Sequence, residues 1–291
     1  MGEGTDGQWS VVKTSLYGVD IAASAPALSR LCDMPLVEAT QRLRSSRGIL
    51  MRGLDETLAR ELTKQLDDAG QRFLAVPDTL TVQPPAAYQL RNASATATDF
   101  TPLKDLPPQP EPVPWSRIWV ITVGRVAETQ SQLSSARDRP MMPSISGPLR
   151  RIAEGGLQSL PSVTHTRERV DIVCGIPEQR YRVENGRFNF GSILPKPSPV
   201  ADANFCLLAR GLLQMAPRAA TNVLPAHIGA DGGLALEEFR EPHDMDRITT
   251  WLCCLVRLGL WPGAVENDRD PDGAENRTVH VYPSTNSTET G

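Results

Sequence analysis

Aromatic residues, histidines and recognisable catalytic motifs are scarce in this sequence. Phenylalanine, tryptophan and tyrosine together make up 5% of the chain, and it has 4 histidines. There is no phosphate-binding GxxxxGK followed by Ser or Thr, no GxGxxG after a strand, no HExxH and no GxSxG. No signature therefore assigns the chain to the nucleotide-binding, zinc-protease or serine-hydrolase classes, and no reaction is predicted from a motif.

The chain also lacks a strong excess of one charge and a long apolar run. Its formal net charge is -4 over 291 residues, which gives no general attraction to nucleic acid or to an anionic membrane. The longest apolar stretch, residues 251–261, is about half a membrane span and contains Arg257. We therefore expect a protein that does not associate with membranes.

Disulfide and secretion signals are missing as well. The 5 cysteines are odd in number and lack the spacing of a disulfide framework or a zinc site, so we expect reduced, mostly buried thiols. The amino-terminal residues MGEGTDGQWS have no basic segment followed by an apolar one. Together these features predict a cytoplasmic protein that holds no metal or other cofactor.

Residues 35–76 carry the clearest local pattern. Asp55 is placed to cap a helix, leucines follow at positions 58, 62 and 66 on one face, and Gly70 follows the last helical residue. The pattern predicts helix, loop, helix and strand. A strand that includes Val11 and Val12 and a helix over about residues 20–31 are predicted before it.

Composition divides the rest of the chain. Residues 77–114 contain nine of the 25 prolines and few large apolar residues, which predicts a flexible, polyproline-like linker. Residues 115–265 are predicted to form a second domain. Residues 266–291 are acidic and are predicted to be disordered, except for an edge strand over residues 278–282.

The second domain shows strands followed by helices. The apolar run over residues 117–126 predicts a strand that is buried on both faces. A hairpin is predicted around Asn185-Gly186, with Phe188 and Phe190 on its second strand. Helices are predicted after a cap at Asp202 and from about Asp244 to Gly259, so the chain is expected to be of the α+β class.

The segment LDETLARELTKQLDDAG, residues 54–70, resembles the last helix of the C-terminal domain of the bacterial ribosomal stalk protein. The similarity extends back through PLVEA at residues 35–39 to about residue 20. It implies a β-α-α-β-α-β domain over residues 9–76, a fold shared with an adaptor of a bacterial ATP-dependent protease. Both relatives bind proteins. The positions that correspond to the stalk protein's factor-binding face hold Pro26, Ser29, Arg30 and Thr40, so the resemblance does not extend to translation-factor binding.

Two groups of residues are candidate sites. The first is an arginine cluster that is suited to an acidic partner or to RNA, although it also fits a solvated helix face. Its members are Arg42, Arg44, Arg47 and Arg52. The second is the acidic run over residues 237–246 with His243, which offers ligands for a divalent metal or groups for acid-base chemistry. The favoured interpretation of Asp244 and Asp246 is that they cap the start of a helix, where anions satisfy free N–H groups and the helix dipole.

The leading hypothesis is a non-catalytic protein-binding or scaffold protein in which a stalk-like module is tethered to an α+β domain. The alternatives are an enzyme with a site near His243 and nucleic-acid binding through residues 42–52. The partner and the oligomeric state are not predicted.

Overall fold

The computed structural model describes residues 7–15, 18–103, 111–130, 163–175, 178–223, 227 and 233–261. In this part of the chain, five α-helices and three sheets confirm the α+β class. None of the described helices has both the length and the apolar character needed to cross a membrane. The acidic segment 266–291, with the strand predicted at residues 278–282, lies outside the described residues.

The N-terminal module, residues 9–77, has the element order β-α-α-β-α-β. Its elements are β1 (Trp9–Lys13), α1 (Ile21–Leu31), α2 (Leu36–Ser45), β2 (Ile49–Leu54), α3 (Glu56–Asp68) and β3 (Phe73–Pro77). The strands form an antiparallel sheet in the order β2-β1-β3, and the helices pack on one of its faces.

Local signals in the module are confirmed at α3. The Asp55 side chain accepts a hydrogen bond from the Leu58 backbone at 2.8 Å, Leu62 and Leu66 are fully buried, and Gly70 has a φ of +74°. Residues 49–54 form β2 rather than the loop that their local pattern predicts, because they pair with β1, which lies far away in sequence. A periodicity argument does not register such a pairing.

The remaining elements follow in chain order. They are β4 (Tyr88–Leu90), β5 (Asn92–Ala95), β6 (Asp99–Leu103), β7 (Val113–Pro114), β8 (Ile118–Gln130), β9 (Val163–Cys174), β10 (Gln179–Glu184), α4 (Ala201–Met215), β11 (Ala220–Thr221), β12 (Glu238–Phe239) and α5 (Pro242–Arg257). A six-stranded sheet has the order β11-β8-β9-β10-β4, with β12 also paired to β8, while β5, β6 and β7 form a small third sheet.

The predicted flexible linker over residues 77–114 is wrong for its described residues. β4 joins the six-stranded sheet in parallel with β10, and Leu90, Ala93 and Phe100 are buried in the same core as Phe205. The proline count averaged over the segment hides these apolar residues, and the core that receives them comes from distant parts of the chain. The N-terminal module is therefore not on a flexible tether at this point.

The prediction that β8 is buried on both faces is confirmed. Ile121 and Val123 pack in the core that contains α4, whereas Val120 and Val126 pack in the core that contains α5. A central strand with helices on both faces needs apolar residues at consecutive positions.

The predicted hairpin around Asn185-Gly186 is wrong in its second strand. Gly186 does turn the chain with a φ of +82°, but β10 pairs with the preceding strand β9, and Phe190 begins a short 3-10 helix. Phe188 and Phe190 pack edge to face, with ring centroids 5.4 Å apart, under the α4 side of the sheet. Burial in this core explains both aromatic positions without a strand.

The N-terminal module is joined to the rest of the described chain through α5. The Trp251 indole nitrogen donates a hydrogen bond of 2.6 Å to the Lys13 carbonyl, and Val12 and Val76 share a core with α5. Gly48 lies against the Trp251 ring with a φ of +97°, and a Cβ at this position would be 2.2 Å from the ring. This junction positions the candidate site.

Candidate functional site

A groove of about 400 Å³ lies between the N-terminal module and α5. We call it the arginine groove; its lining residues are Arg42, Ser46, Arg47, Ile49, Leu50, Met51, Arg52, Gln83, His243, Asp246, Arg247 and Thr250. Four arginines and one histidine therefore face one carboxylate. Residues from both candidate groups of the sequence, the arginine cluster and the run with His243, line this groove although they are about 200 residues apart.

Two arginines and the histidine of the groove have no ionic partner among the described residues. Arg52, His243 and Arg247 are exposed, and none of them forms an ion pair or a side-chain hydrogen bond with the described residues. Arg42 lies at one end of the groove, where it is 3.5 Å from the exposed Glu38 carboxylate and donates to the Met51 sulfur at 3.1 Å. The groove thus keeps a net positive charge that its own residues do not neutralise.

Arg47 is predicted to bind a partner, but its side chain is already engaged in contacts within the protein. Its guanidinium is 3.0 Å from Glu237 and 3.6 Å from Asp244, and it lies 5.5 Å from the Phe239 ring centroid. Its φ of +25° is unusual for a residue with a side chain. These contacts make Arg47 a positioning residue that joins the N-terminal module to β12 and α5.

Arg44 lies outside the arginine groove. It is exposed, and it lines a neighbouring cavity together with Lys13 and Trp251. The four arginines of the sequence cluster therefore have three different surroundings. Arg42 and Arg52 line the arginine groove. Arg44 lines the neighbouring cavity, and Arg47 forms ion pairs within the protein.

The predicted helix-start role is confirmed in part: Asp244 lies in the first turn of α5, where its charge complements the helix dipole, but neither Asp244 nor Asp246 is the N-cap residue. α5 begins earlier, with Glu241 at its N-cap position and no side-chain cap bond. Asp244 pairs with Arg47, and Asp246 accepts hydrogen bonds from Arg180 and Arg182 on β10. α5 begins at Pro242, before the predicted start near Asp244, because proline is favoured at the first helical position.

Asp246 lines the groove and also belongs to a buried charge network, whose other members are Asp171, Arg180 and Arg182. Asp171 is fully buried and accepts bonds from both arginines, with Arg182 Nε at 2.7 Å and Nη2 at 2.9 Å. Burial raises the pKa of Asp171, but the hydrogen bond from Arg182 and the two guanidinium charges outweigh it and hold the pKa below its usual value. Two arginines balance two carboxylates, so Asp246 does not neutralise the cations of the groove.

The cysteines offer no nucleophile in the described residues. Burial raises the pKa of Cys174 and Cys253 to about 12 and that of Cys254 to about 11. Cys32 and Cys206 are half-buried, and burial raises their pKa values too. A thiol in such surroundings stays protonated and unreactive at neutral pH. Over the same residues, no group of three or more His, Cys, Asp or Glu side chains is arranged to hold a metal ion.

Sequence reasoning missed Arg247 and the two arginines of β10. Arg247 follows His243 by four residues, so the two share a helix face once α5 is recognised to begin at Pro242. Arg180 and Arg182 alternate with Tyr181 and Val183, a period-two signal of a strand with one charged face. The carboxylates that this charged face meets, Asp171 on β9 and Asp246 on α5, are brought to it by strand pairing and helix packing, which a local sequence pattern does not show.

Comparison of the chain with protein-family models, with curated proteins and with solved structures finds no match in any of the three. The resemblance of residues 54–70 to the ribosomal stalk protein therefore stays a prediction.

Proposed function

We propose that this chain is a non-catalytic binding protein that receives an acidic segment of a protein partner in the arginine groove. The observation that carries the proposal is the set of Arg52, His243 and Arg247, which have no ionic partner among the described residues. A guanidinium presents a planar set of donors that matches a carboxylate with two parallel hydrogen bonds. A partner segment with acidic side chains would satisfy this charge.

The shape and the floor of the groove favour a peptide. Ile49 and Met51 on β2 are half-buried and line the groove beside the arginines. They offer apolar contact to a peptide that places acidic side chains on either side. One wall comes from the N-terminal module and the other from α5, so both halves of the protein contribute to recognition, as a scaffold or adaptor requires. A cytoplasmic setting is part of the proposal, and the free thiols agree with it.

An enzyme with its site near His243 is the first alternative. His243 is exposed and has no carboxylate partner among the residues that the structure describes, whereas a histidine base usually has its second nitrogen oriented by another group. Binding of Mn²⁺ or Zn²⁺ that is lost in a His243→Ala variant would favour this alternative.

Nucleic-acid binding through Arg42 and Arg52 is the second alternative. The groove has the necessary cations, but among the described residues no aromatic side chain lines it on which a base could stack. The net charge of -4 also opposes association with a polyanion outside the groove.

The test compares two anionic probes on the full chain. We would measure the binding of a fluorescein-labelled peptide rich in glutamate and leucine by fluorescence anisotropy, with an unlabelled single-stranded oligonucleotide as competitor. The double variant Arg52→Glu/Arg247→Glu is expected to lose the peptide. A matched double variant, Arg72→Glu/Arg117→Glu, reverses two exposed arginines away from the groove and is expected to keep it.

Two results would contradict the proposal. Equal peptide affinity in both double variants would show that the groove is not the binding site. Stronger binding of the oligonucleotide, with an affinity that falls steeply with salt concentration, would instead favour the nucleic-acid alternative.

A further inference from the structure

The β2 strand forms one edge of the sheet of the N-terminal module. The strand order is β2-β1-β3, and among the described residues β2 pairs only with β1. A strand that is paired on one side turns about half of its backbone N–H and C=O groups away from its partner. Residues 49–52 therefore have backbone groups that no other described strand uses. The open edge ends at Gly53, whose backbone N–H donates to the Asp78 carboxylate at 3.1 Å.

The arginine groove runs along this open edge, because four consecutive residues of β2, 49–52, line it. Successive side chains of a strand point to opposite faces of the sheet. Ile49 packs in the core that contains α5, whereas Leu50 packs in the core of the N-terminal module. A cavity that contacts both residues and the two that follow lies beside the strand, next to its backbone.

The opposite wall of the groove is one face of α5. His243, Arg247 and Thr250 line it over two helical turns, a length of about 10 Å. His243 and Arg247 are four residues apart, which is about 6 Å along the helix. Side chains at positions i and i+2 of an extended peptide lie on one face, about 6.6 Å apart. Two carboxylates with this spacing match the two α5 side chains.

The charge at this edge favours an acidic strand over a second copy of the chain. Arg52 on β2 is exposed and has no ionic partner among the described residues, and Arg42 at the end of the groove is also exposed. Pairing of two β2 edges would bring the arginines of two grooves together, and like charges on facing strands are destabilising. An acidic strand places opposite charges there instead.

We propose that the acidic partner segment binds as an added strand on the open edge of β2. Its backbone is hydrogen-bonded to residues 49–52, and two carboxylates at positions i and i+2 face His243 and Arg247. The residues between them face Leu50 and Met51 and are expected to be apolar. Strand addition of this kind is a recurring mode of peptide recognition. The inference rests on the function proposed above for the arginine groove and specifies the conformation and sequence pattern of the partner.

The first test compares two fluorescein-labelled peptides of equal composition on the full chain by fluorescence anisotropy. The peptide ELELELEL places its glutamates on one face of a strand. The peptide ELLEELLE has no two glutamates at positions i and i+2, and its pattern suits a helix. ELELELEL is expected to bind at least tenfold more tightly. Equal affinity, or tighter binding of ELLEELLE, would overturn the proposal.

The second test probes the backbone hydrogen bonds directly. One version of ELELELEL carries N-methyl groups on all glutamate amides, and the other carries them on all leucine amides. Alternate amides of a strand point to the same side, so only one of the two sets pairs with β2. One version is therefore expected to bind at least tenfold more weakly than ELELELEL and the other within twofold of it. Equal affinity of the two versions, whether both bind or both fail to bind, would overturn strand addition.

Two controls separate this inference from the function on which it rests. If Arg52→Glu/Arg247→Glu abolishes binding of ELELELEL but the two methylated versions bind equally, the groove remains the binding site and strand addition is wrong. If the double variant binds ELELELEL as the parent does, both proposals are wrong. Sedimentation velocity of the full chain alone is expected to show a monomer, whereas a dimer that ELELELEL dissociates would assign the edge to a second copy and overturn the inference.

Discussion

Replacement of Asp171 by asparagine tests the buried charge network most directly. Asp171 is fully buried between Arg180, whose side chain is 2% exposed, and Arg182, which is 16% exposed. Asparagine keeps the shape of the side chain and one accepting oxygen but removes the negative charge. Two guanidinium groups are then left with the single carboxylate of Asp246, which is 23% exposed.

The expected loss of stability follows from this imbalance. Removal of one partner from a buried ion pair typically costs about 3–5 kcal/mol, because the remaining charge stays dehydrated. We expect about 3 kcal/mol for Asp171→Asn, at the lower end, because Asp246 still contacts both arginines. For a protein of this size, that loss corresponds to a fall of roughly 6–12 °C in the thermal midpoint.

Urea unfolding followed by far-ultraviolet circular dichroism measures the change. The control Glu56→Gln removes one half of an ion pair with Arg60 in which both side chains are at least half exposed, and such pairs contribute about 1 kcal/mol or less. The double variant Asp171→Leu/Arg180→Met removes opposite charges together and is expected to recover most of the stability. A loss below about 1 kcal/mol for Asp171→Asn, or no recovery in the double variant, would refute the reasoning.

Three more predictions concern the same core and the junction with the N-terminal module. Gly48→Ala is expected to lower the free energy of unfolding by about 1–3 kcal/mol more than Gly53→Ala, as urea titration would show. Both glycines have positive φ, but only the Cβ at position 48 would overlap Trp251. The lowered pKa of Asp171 gives stability that is present above about pH 4 and lost as the pH falls through the folded-state value. Parent unfolding midpoints should therefore fall below pH 4 more steeply than those of Asp171→Asn. The Cys253 thiol, whose pKa burial raises to about 12, should resist iodoacetamide at pH 8 until urea unfolds the chain, as mass spectrometry would detect.

Elements with a strong local pattern were predictable from sequence. The cap at Asp55 and the leucines of α3 specify that helix within one segment of the chain, and the consecutive apolar residues of β8 indicate burial on two faces. Elements that depend on pairing or packing with distant parts of the chain were not predictable from sequence. β2, β4 and the position of Phe190 depend on strands and a core that lie elsewhere in the sequence.

The candidate site shows the same division. The sequence provided the cations Arg42 and Arg52 and the residue His243, but it did not show that they share one groove. It also did not show that Arg47 is held by Glu237, about 190 residues away.

The sequence by itself determined the α+β class, the individual helices and the stock of charged residues, because capping, periodicity and composition act over a few neighbouring residues. Only the tertiary structure decided which charges are neutralised. Asp171 and Asp246 meet Arg180 and Arg182 through strand pairing and helix packing, whereas Arg52 and Arg247 meet no carboxylate in the described chain. Coulombic interaction depends on distance in space and on burial, and neither follows from separation along the chain.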